Sequence, residues 1–360
     1  MSKNAPSAPS PSSRQPGTLP QSGTASSMRA LVQEAHGAPM RLTEIARPKP
    51  GRNQVLVRIK ASGVNPLDLK IQEGRADHAR HPMPAVLGID LAGVVEEVGE
   101  GVTAFKRGDE VYGMTGGVGG HQGSLAQFAA VDADLLAKKP HNLTMREAAA
   151  LPLIVITAWE GLVDRAKVKA GDQVLVQGGS GGVGHVAVQI AKAFGATVFA
   201  TASASNRSLV EHLGASFIDY AAETAQHYVE QHTGGAGFDI IYDTVGGATL
   251  DASFEAVRLY TGHVVSCLGW GAHKLAPLSF RGATYSGVFT LLPLLTGKGR
   301  AHHGEILMAV TKLVEAGQLL PILDPRHFTL ETIADAYAAL GATSAGDGRA
   351  KGKVVVDIAA

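Results

Sequence analysis

The run Gln173-Val174-Leu175-Val176-Gln177-Gly178-Gly179-Ser180-Gly181-Gly182-Val183-Gly184-His185 decides the fold. Gln173 to Gln177 reads as a short apolar strand. The spacing Gly179-x-Gly181-x-x-Gly184 follows, and His185 to Phe194 continues as a helix. Strand, glycine turn and helix in that order make a dinucleotide-binding turn. Glycines let the backbone approach a pyrophosphate, and the helix N-terminus offers unpaired N–H groups and a positive dipole end. Gly179, Ser180, Gly181, Gly182, Val183 and Gly184 are therefore expected to hold the cofactor phosphates. A second glycine run, Gly116-Gly117-Val118-Gly119-Gly120, lies between β segments with no helix after it. It reads as a flexible loop.

Strands and helices alternate downstream of this turn. Thr197 to Thr201, Phe217-Ile218, Phe238 to Asp243 and His263 to Cys267 read as strands. Asn206 to Leu213, Ala221 to Gln231 and Leu250 to Val257 read as helices between them. That alternation implies βαβ units and a parallel, doubly wound sheet. Upstream, Met28 to Val32, Val55 to Ala61, Val86 to Val98, Glu110 to Tyr112 and Ser124 to Val131 read as β with Gly-rich connections. Thr144 and Glu147 form a capping box before an Ala-rich helix. A further helix runs through Thr157 to Ala166. Helices at Ile306 to Ala316 and Leu330 to Leu340 and a strand at Lys353 to Ile358 close the chain.

The 360 residues leave room for two domains, and 45% hydrophobic with 18% charged residues is a globular composition. Lys and Arg total 32, as do Asp and Glu, so no bulk charge favours nucleic acid or an anionic membrane. One cysteine, Cys267, excludes an internal disulfide and Cys-rich metal sites. It suits a reducing compartment, and a cytoplasmic location is expected. Residues 1–27 carry eight Ser and five Pro without an apolar core, and read as a disordered leader. Ala148 to Trp159 is too short to span a bilayer.

The second strand of the βαβ region selects the cofactor. A site preferring NAD places Asp or Glu at its end to bind the ribose 2′-hydroxyl. No acidic residue occurs between Asp172 and Glu211, and Ser203, Asn206 and Arg207 stand there instead. Arg207 suits a 2′-phosphate through charge-assisted bonds, so NADPH is expected. Its plainer reading is a solvated helix residue. The fourteen histidines form no HExxH or HxH cluster, so they read as scattered core and surface residues. No Gly-x-Ser-x-Gly elbow supports a hydrolase, since the only such spacing, Gly178 to Gly182, is the dinucleotide turn itself, and no Tyr-x-x-x-Lys pair is present.

Several motifs in order then resemble one family. They are Gly63-Val64-Asn65-Pro66-Leu67-Asp68, Leu87-Gly88-Ile89-Asp90-Leu91-Ala92-Gly93-Val94-Val95, Gly99-Glu100-Gly101-Val102 and Gly108-Asp109-Glu110-Val111-Tyr112-Gly113. Thr157-Ala158-Trp159, the Gly178 to Gly184 loop and Asp243-Thr244-Val245-Gly246-Gly247 continue the match. Together they resemble medium-chain dehydrogenase/reductases over roughly Met28 to Ile358, and within these the zinc-independent quinone oxidoreductase branch. Zinc alcohol dehydrogenases carry ligands where this chain has Asn65, Ile89 and a position near Leu153. Ile89 and Leu153 offer zinc no donor.

The resemblance implies an α/β fold: a GroES-like β domain (28–155 and 300–360) and a Rossmann NADPH-binding domain (156–299). It implies hydride transfer from NADPH to a quinone or an α,β-unsaturated carbonyl, without metal. Asn65 is the expected hydrogen-bond donor to the acceptor, or else it shapes the turn before Pro66. Thr157 is expected at the nicotinamide or ribose, or else inside a helix. Tyr220 and Lys351 are expected near the cofactor, or else exposed. Val245 and Leu268 are expected beside it. Relatives often carry a Tyr soon after the Asn-Pro segment. This chain reads Gln72 to His78 without one, leaving His78 or a water as substitute. Two other readings stay open: an NADPH-binding structural or regulatory protein, and an enoyl thioester reductase. A homodimer or tetramer is expected, paired through His263 to Cys267 or Tyr285 to Phe289 as a sheet edge.

Overall fold

The structure is a computed structural model that describes residues 26–341 and 348–358. Residues 1–25 of the expected leader lie outside the described residues. The strands are β1 (Ser27–Gln33), β2 (Arg41–Ala46), β3 (Gln54–Val64), β4 (Ala85–Val86), β5 (Asp90–Val98), β6 (Glu110–Met114), β7 (Phe128–Asp132) and β8 (Leu136–Lys138). They continue as β9 (Gln173–Gln177), β10 (Thr197–Ala202), β11 (Ser216–Asp219), β12 (Ile240–Asp243), β13 (His263–Ser266), β14 (Thr284–Gly287), β15 (Phe328–Thr329) and β16 (Val354–Asp357). The helices that build the site are α1 (Pro66–Gln72), α2 (Met145–Ala149), α3 (Pro152–Trp159), α4 (Gly182–Ala193) and α5 (Arg207–His212).

Strands β9 to β14 form one parallel sheet in the order β11-β10-β9-β12-β13-β14. The chain winds outward from β9 in one direction, then returns to β12 and winds outward in the other. That reversal opens a crevice at the C-terminal ends of β9 and β12, where open α/β sheets bind ligands. Val174, Leu175 and Val176 are fully buried, as a strand covered by helices on both faces requires. Strand β13 is paired on both sides, so His263 to Cys267 is no edge. Among the described residues the edges of this sheet are β11 and β14.

The remaining strands form a seven-stranded sheet, β15-β16-β3-β5-β6-β8 with β7 also on β3, and a three-stranded sheet β2-β1-β4. Strand β16 returns from the end of the chain to lie antiparallel beside β3, with Val354 opposite Val64. That pairing brings Lys353 next to the start of α1. The helix Arg300–Glu315 is tied to the same sheet through Tyr112, whose hydroxyl donates to the Leu307 carbonyl at 2.8 Å.

Three local expectations need correction. The helix expected at Thr157 begins at Pro152, where proline's fixed φ suits the first turn, and passes into a π-helical turn over Glu160–Arg165. Only the latter part of Ser124 to Val131 pairs as a strand. Leu125 instead exchanges backbone bonds with Leu31 and Leu87. The Gly116 to Gly120 loop is packed: Val118 is fully buried and Gly119 donates to the Ala79 carbonyl.

Candidate active site

The glycine turn is braced from both neighbouring strands. Gly178 donates to the Thr201 hydroxyl at 3.0 Å and Gly179 to the Thr201 carbonyl at 2.9 Å. The Thr244 hydroxyl donates to the Gln177 carbonyl at 2.6 Å. A Cβ on Gly184 would run into the Gly178 carbonyl, and one on Gly179 into Ala200. Both positions thus require glycine for close approach. Helix α4 starts after Gly181 with no side-chain cap, so its first N–H groups stay free. The exposed Gly181 and Gly182 and half-buried Ser180 and Val183 present them to the crevice. His185 is pushed down to about 4 by burial, which keeps the ring neutral. Its Nδ1–H donates to the Gly181 carbonyl, and its Nε2 accepts from Ile322.

Beyond β10, Ser203, Ser205 and Asn206 hydrogen-bond among themselves at 3.0 Å. The Arg207 guanidinium lies 4.3 Å over the Phe217 ring. It also pairs with Glu211 at 3.2 Å, one helical turn on. A carboxylate, that of Glu211, thus stands beside the guanidinium. Tyr220, just past β11, is exposed. Lys351 is exposed too, and its backbone N–H donates to Asp324.

At the other end of the crevice, buried Asp243 ties two loops together. Its carboxylate accepts from the Val245 and Gly246 N–H groups and from the Ser266 hydroxyl at 2.6 Å. Ser266 in turn accepts from Leu268 N–H at 3.0 Å. Val245 and Leu268 thereby follow the ends of β12 and β13. Two residues on, Trp270 meets Phe289 and His78, the latter from the other domain.

The base of the cleft holds a polar network that sequence reasoning missed. The Lys353 ammonium donates to the Asn65 amide oxygen and to the Val64 carbonyl at 3.1 Å. The Asn65 amide donates to Asp90 at 2.9 Å, and the other Asp90 oxygen accepts from Leu153 N–H at 2.9 Å. Asp68 accepts from Asn65 N–H at 2.8 Å, capping α1. Burial pushes Asp90 up to about 6 and Asp68 up to about 7, and lowers Lys353. The sequence signal was Lys353 itself, a lysine opening an otherwise apolar strand.

Two expected roles change. Asn65 is fully buried, so its amide serves this network and does not face an acceptor. The Thr157 hydroxyl donates to the Leu153 carbonyl at 2.7 Å, and its own carbonyl accepts from Tyr242, which makes it a helix-interior residue. The network also decides the fit of a metal. Ile89 and Leu153 lack donors, Asn65 is already occupied, and the local cation is an ammonium. These residues do not fit a tetrahedral zinc. Among the described residues no group of three His, Cys, Asp or Glu could hold a metal ion.

A crevice with a free helix N-terminus at a strand-order reversal, facing a second β domain, defines a nicotinamide-dependent oxidoreductase architecture. Family comparisons agree. Residues 51–141 match the alcohol dehydrogenase GroES-like domain, and residues 182–295 match a family described as zinc-binding dehydrogenase. A 2-methylene-furan-3-one reductase of Solanum lycopersicum is 37% identical over 87% of this chain and 74% of its own length. An NADPH-dependent alkenal/one oxidoreductase of Arabidopsis thaliana is 35% identical with the same coverage. A chloroplast envelope quinone oxidoreductase homolog of that plant is 32% identical over 92% of this chain and 98% of its own. A crystal structure of an alcohol dehydrogenase superfamily protein from Novosphingobium aromaticivorans superposes with a TM-score of 0.89 at 57% identity. It covers 92% of this chain and 100% of that one. The chain belongs to the medium-chain dehydrogenase/reductase superfamily. It is an oxidoreductase.

Proposed function

We propose that the protein is a zinc-independent, NADPH-dependent reductase acting on a quinone or an α,β-unsaturated carbonyl. NADPH, when bound, supplies the hydride. The observation that carries the metal-free reading is the Lys353–Asn65–Asp90 network at the base of the cleft. It closes the position with hydrogen bonds among protein groups. Quinones and enones are already electrophilic, so they need no Lewis acid to accept hydride.

The chain's own residues divide the work. The N–H groups from Gly179 to Gly184 bind the pyrophosphate. Ser203 and Arg207 take the 2′-phosphate, and Tyr220 stands at the adenosine side. Val245 and Leu268 flank the nicotinamide and exclude water from it. Asp243 fixes both of their loops, and Lys353 joins β16 to α1 beneath them. The domains are residues 28–155 with 300–360, and 156–299. No helix among the described residues is long and apolar enough to cross a membrane. We place the protein in the cytoplasm, where its lone Cys267 stays reduced. The open edge of β14 supports a homodimer, which light scattering at micromolar concentration tests.

The test of function is steady-state NADPH consumption with a panel of quinones, enals and enones. Turnover with at least one class is expected. Tight NADPH binding without turnover on any of them contradicts the proposal and favours a structural or regulatory protein.

A further inference from the structure

We infer that Trp270, Phe289 and His78 form the acceptor subsite, and that it selects a flat conjugated ring over a straight acyl chain. This rests on the reductase reading above and narrows its substrate class.

The three rings converge from separate elements. Trp270 lies in the loop after β13, and Phe289 lies two residues past β14. Both therefore stand at the C-terminal ends of parallel strands, on the side where such sheets bind ligands. His78 comes from the opposite domain, in the short turn Asp77–Ala79. Its ring centroid is 5.2 Å from Trp270 and 6.0 Å from Phe289. That turn is fixed to the packed glycine loop by the Gly119 N–H on the Ala79 carbonyl. The rings thus meet across the cleft.

Their exposure separates them from core aromatics. The chain's other tryptophan, Trp159, is half-buried and packs edge-on against Phe194. Trp270 is 54% exposed and His78 is exposed, so much of the cluster's surface faces open space. Trp270 and Phe289 stand at 86° to one another with centroids 6.0 Å apart. A planar ring laid on the open side of this cluster stacks on the exposed face of Trp270, a favoured aromatic geometry. Burial and the nearby Lys70 ammonium lower the His78 pKa, so an uncharged ring completes the wall. Leu268, two residues before Trp270, carries the same loop to the expected nicotinamide position. A straight acyl chain gains none of the ring–ring attraction here. A quinone or aryl enone gains it on the exposed face of the cluster.

The test compares benzalacetone, a planar aryl enone, with crotonaldehyde, a small aliphatic enal. Each is assayed with NADPH on wild type, Trp270→Ala and His78→Ala. Both side chains are exposed, so the variants retain the fold. Trp270→Ala is expected to lower kcat/KM for benzalacetone roughly 10-fold through KM, and for crotonaldehyde less than about twofold. His78→Ala is expected to shift the same ratio in the same direction, with NADPH affinity unchanged in both. Equal losses for the two substrates, or no loss for either, overturn the inference while leaving the reductase reading intact. A wild type that reduces neither substrate nor any quinone overturns both.

Discussion

The ammonium of Lys353 donates to the side-chain oxygen of Asn65, a residue 288 positions earlier in the chain. One bond thereby joins the last strand of the seven-stranded sheet to the first helix at the base of the cleft. Lys353 also passes close to the glycine turn: a Cβ on Gly182 would sit 3.9 Å from its Cδ. Its own backbone N–H bonds the carbonyl of Ile322, whose N–H reaches His185 in α4. The phosphate turn and the cleft base therefore share one hydrogen-bonded frame.

Removing that ammonium should be costly in a pH-dependent way. Lys353→Met leaves Asp90 and Asp68 buried without their cation. Their pKa values, already above the unfolded 3.8 at about 6 and about 7, then rise further. A carboxyl raised on folding stabilises the fold below its unfolded pKa, and that stability is lost as pH rises through the folded pKa. Melting curves should show a small loss for Lys353→Met near pH 5 and a larger one near pH 8. Breaking a buried pair costs about 3–5 kcal/mol when the remaining charge stays ionised. An equal loss at both pH values would contradict this account of the network.

Asp68→Asn should act in the opposite direction. One Asp68 oxygen accepts the Asn65 N–H, and the other has no hydrogen-bond partner among the described residues. An amide oxygen preserves the first bond and abolishes the titration. The variant should match wild type near pH 4 and be more stable at pH 8, by on the order of 1 kcal/mol. A variant that is less stable than wild type at pH 8 would show the carboxylate to be needed ionised.

Arg207 provides the cofactor test. A hydrogen bond to a charged group contributes roughly 1.5–3 kcal/mol, so Arg207→Ala should weaken NADPH binding about 10- to 100-fold. NADH binding should change little. Glu211 competes for the same guanidinium at 3.2 Å. Glu211→Gln should therefore tighten NADPH severalfold without helping NADH. Titrations of both cofactors decide it. Equal weakening of both by Arg207→Ala would assign the residue to packing on Phe217.

The parallel sheet was legible because its signals are local. Val174 to Val176, the glycine spacing and the helix after it lie within one run of sequence, and Thr144 with Glu147 caps α2 as read. The glycine turn proposed to hold the phosphates came with them. The cleft base did not, because Lys353, Asn65 and Asp90 meet only through strand pairing between distant segments. Lys351 was the lysine expected at the cofactor, yet Lys353 is the one that turns inward, where β16 begins to pair with β3. Asn65 read as a donor to the acceptor because residue type alone does not reveal full burial. His78 was noticed only for the missing tyrosine, since its ring partners come from the other domain.

The most direct test of the account is turnover without metal. NADPH oxidation by an enone or quinone is measured on protein exhaustively treated with chelator, alongside its zinc content. The account predicts unchanged kcat/KM and substoichiometric zinc. One tightly held zinc per chain, with activity lost on its removal and restored by adding it back, would contradict it.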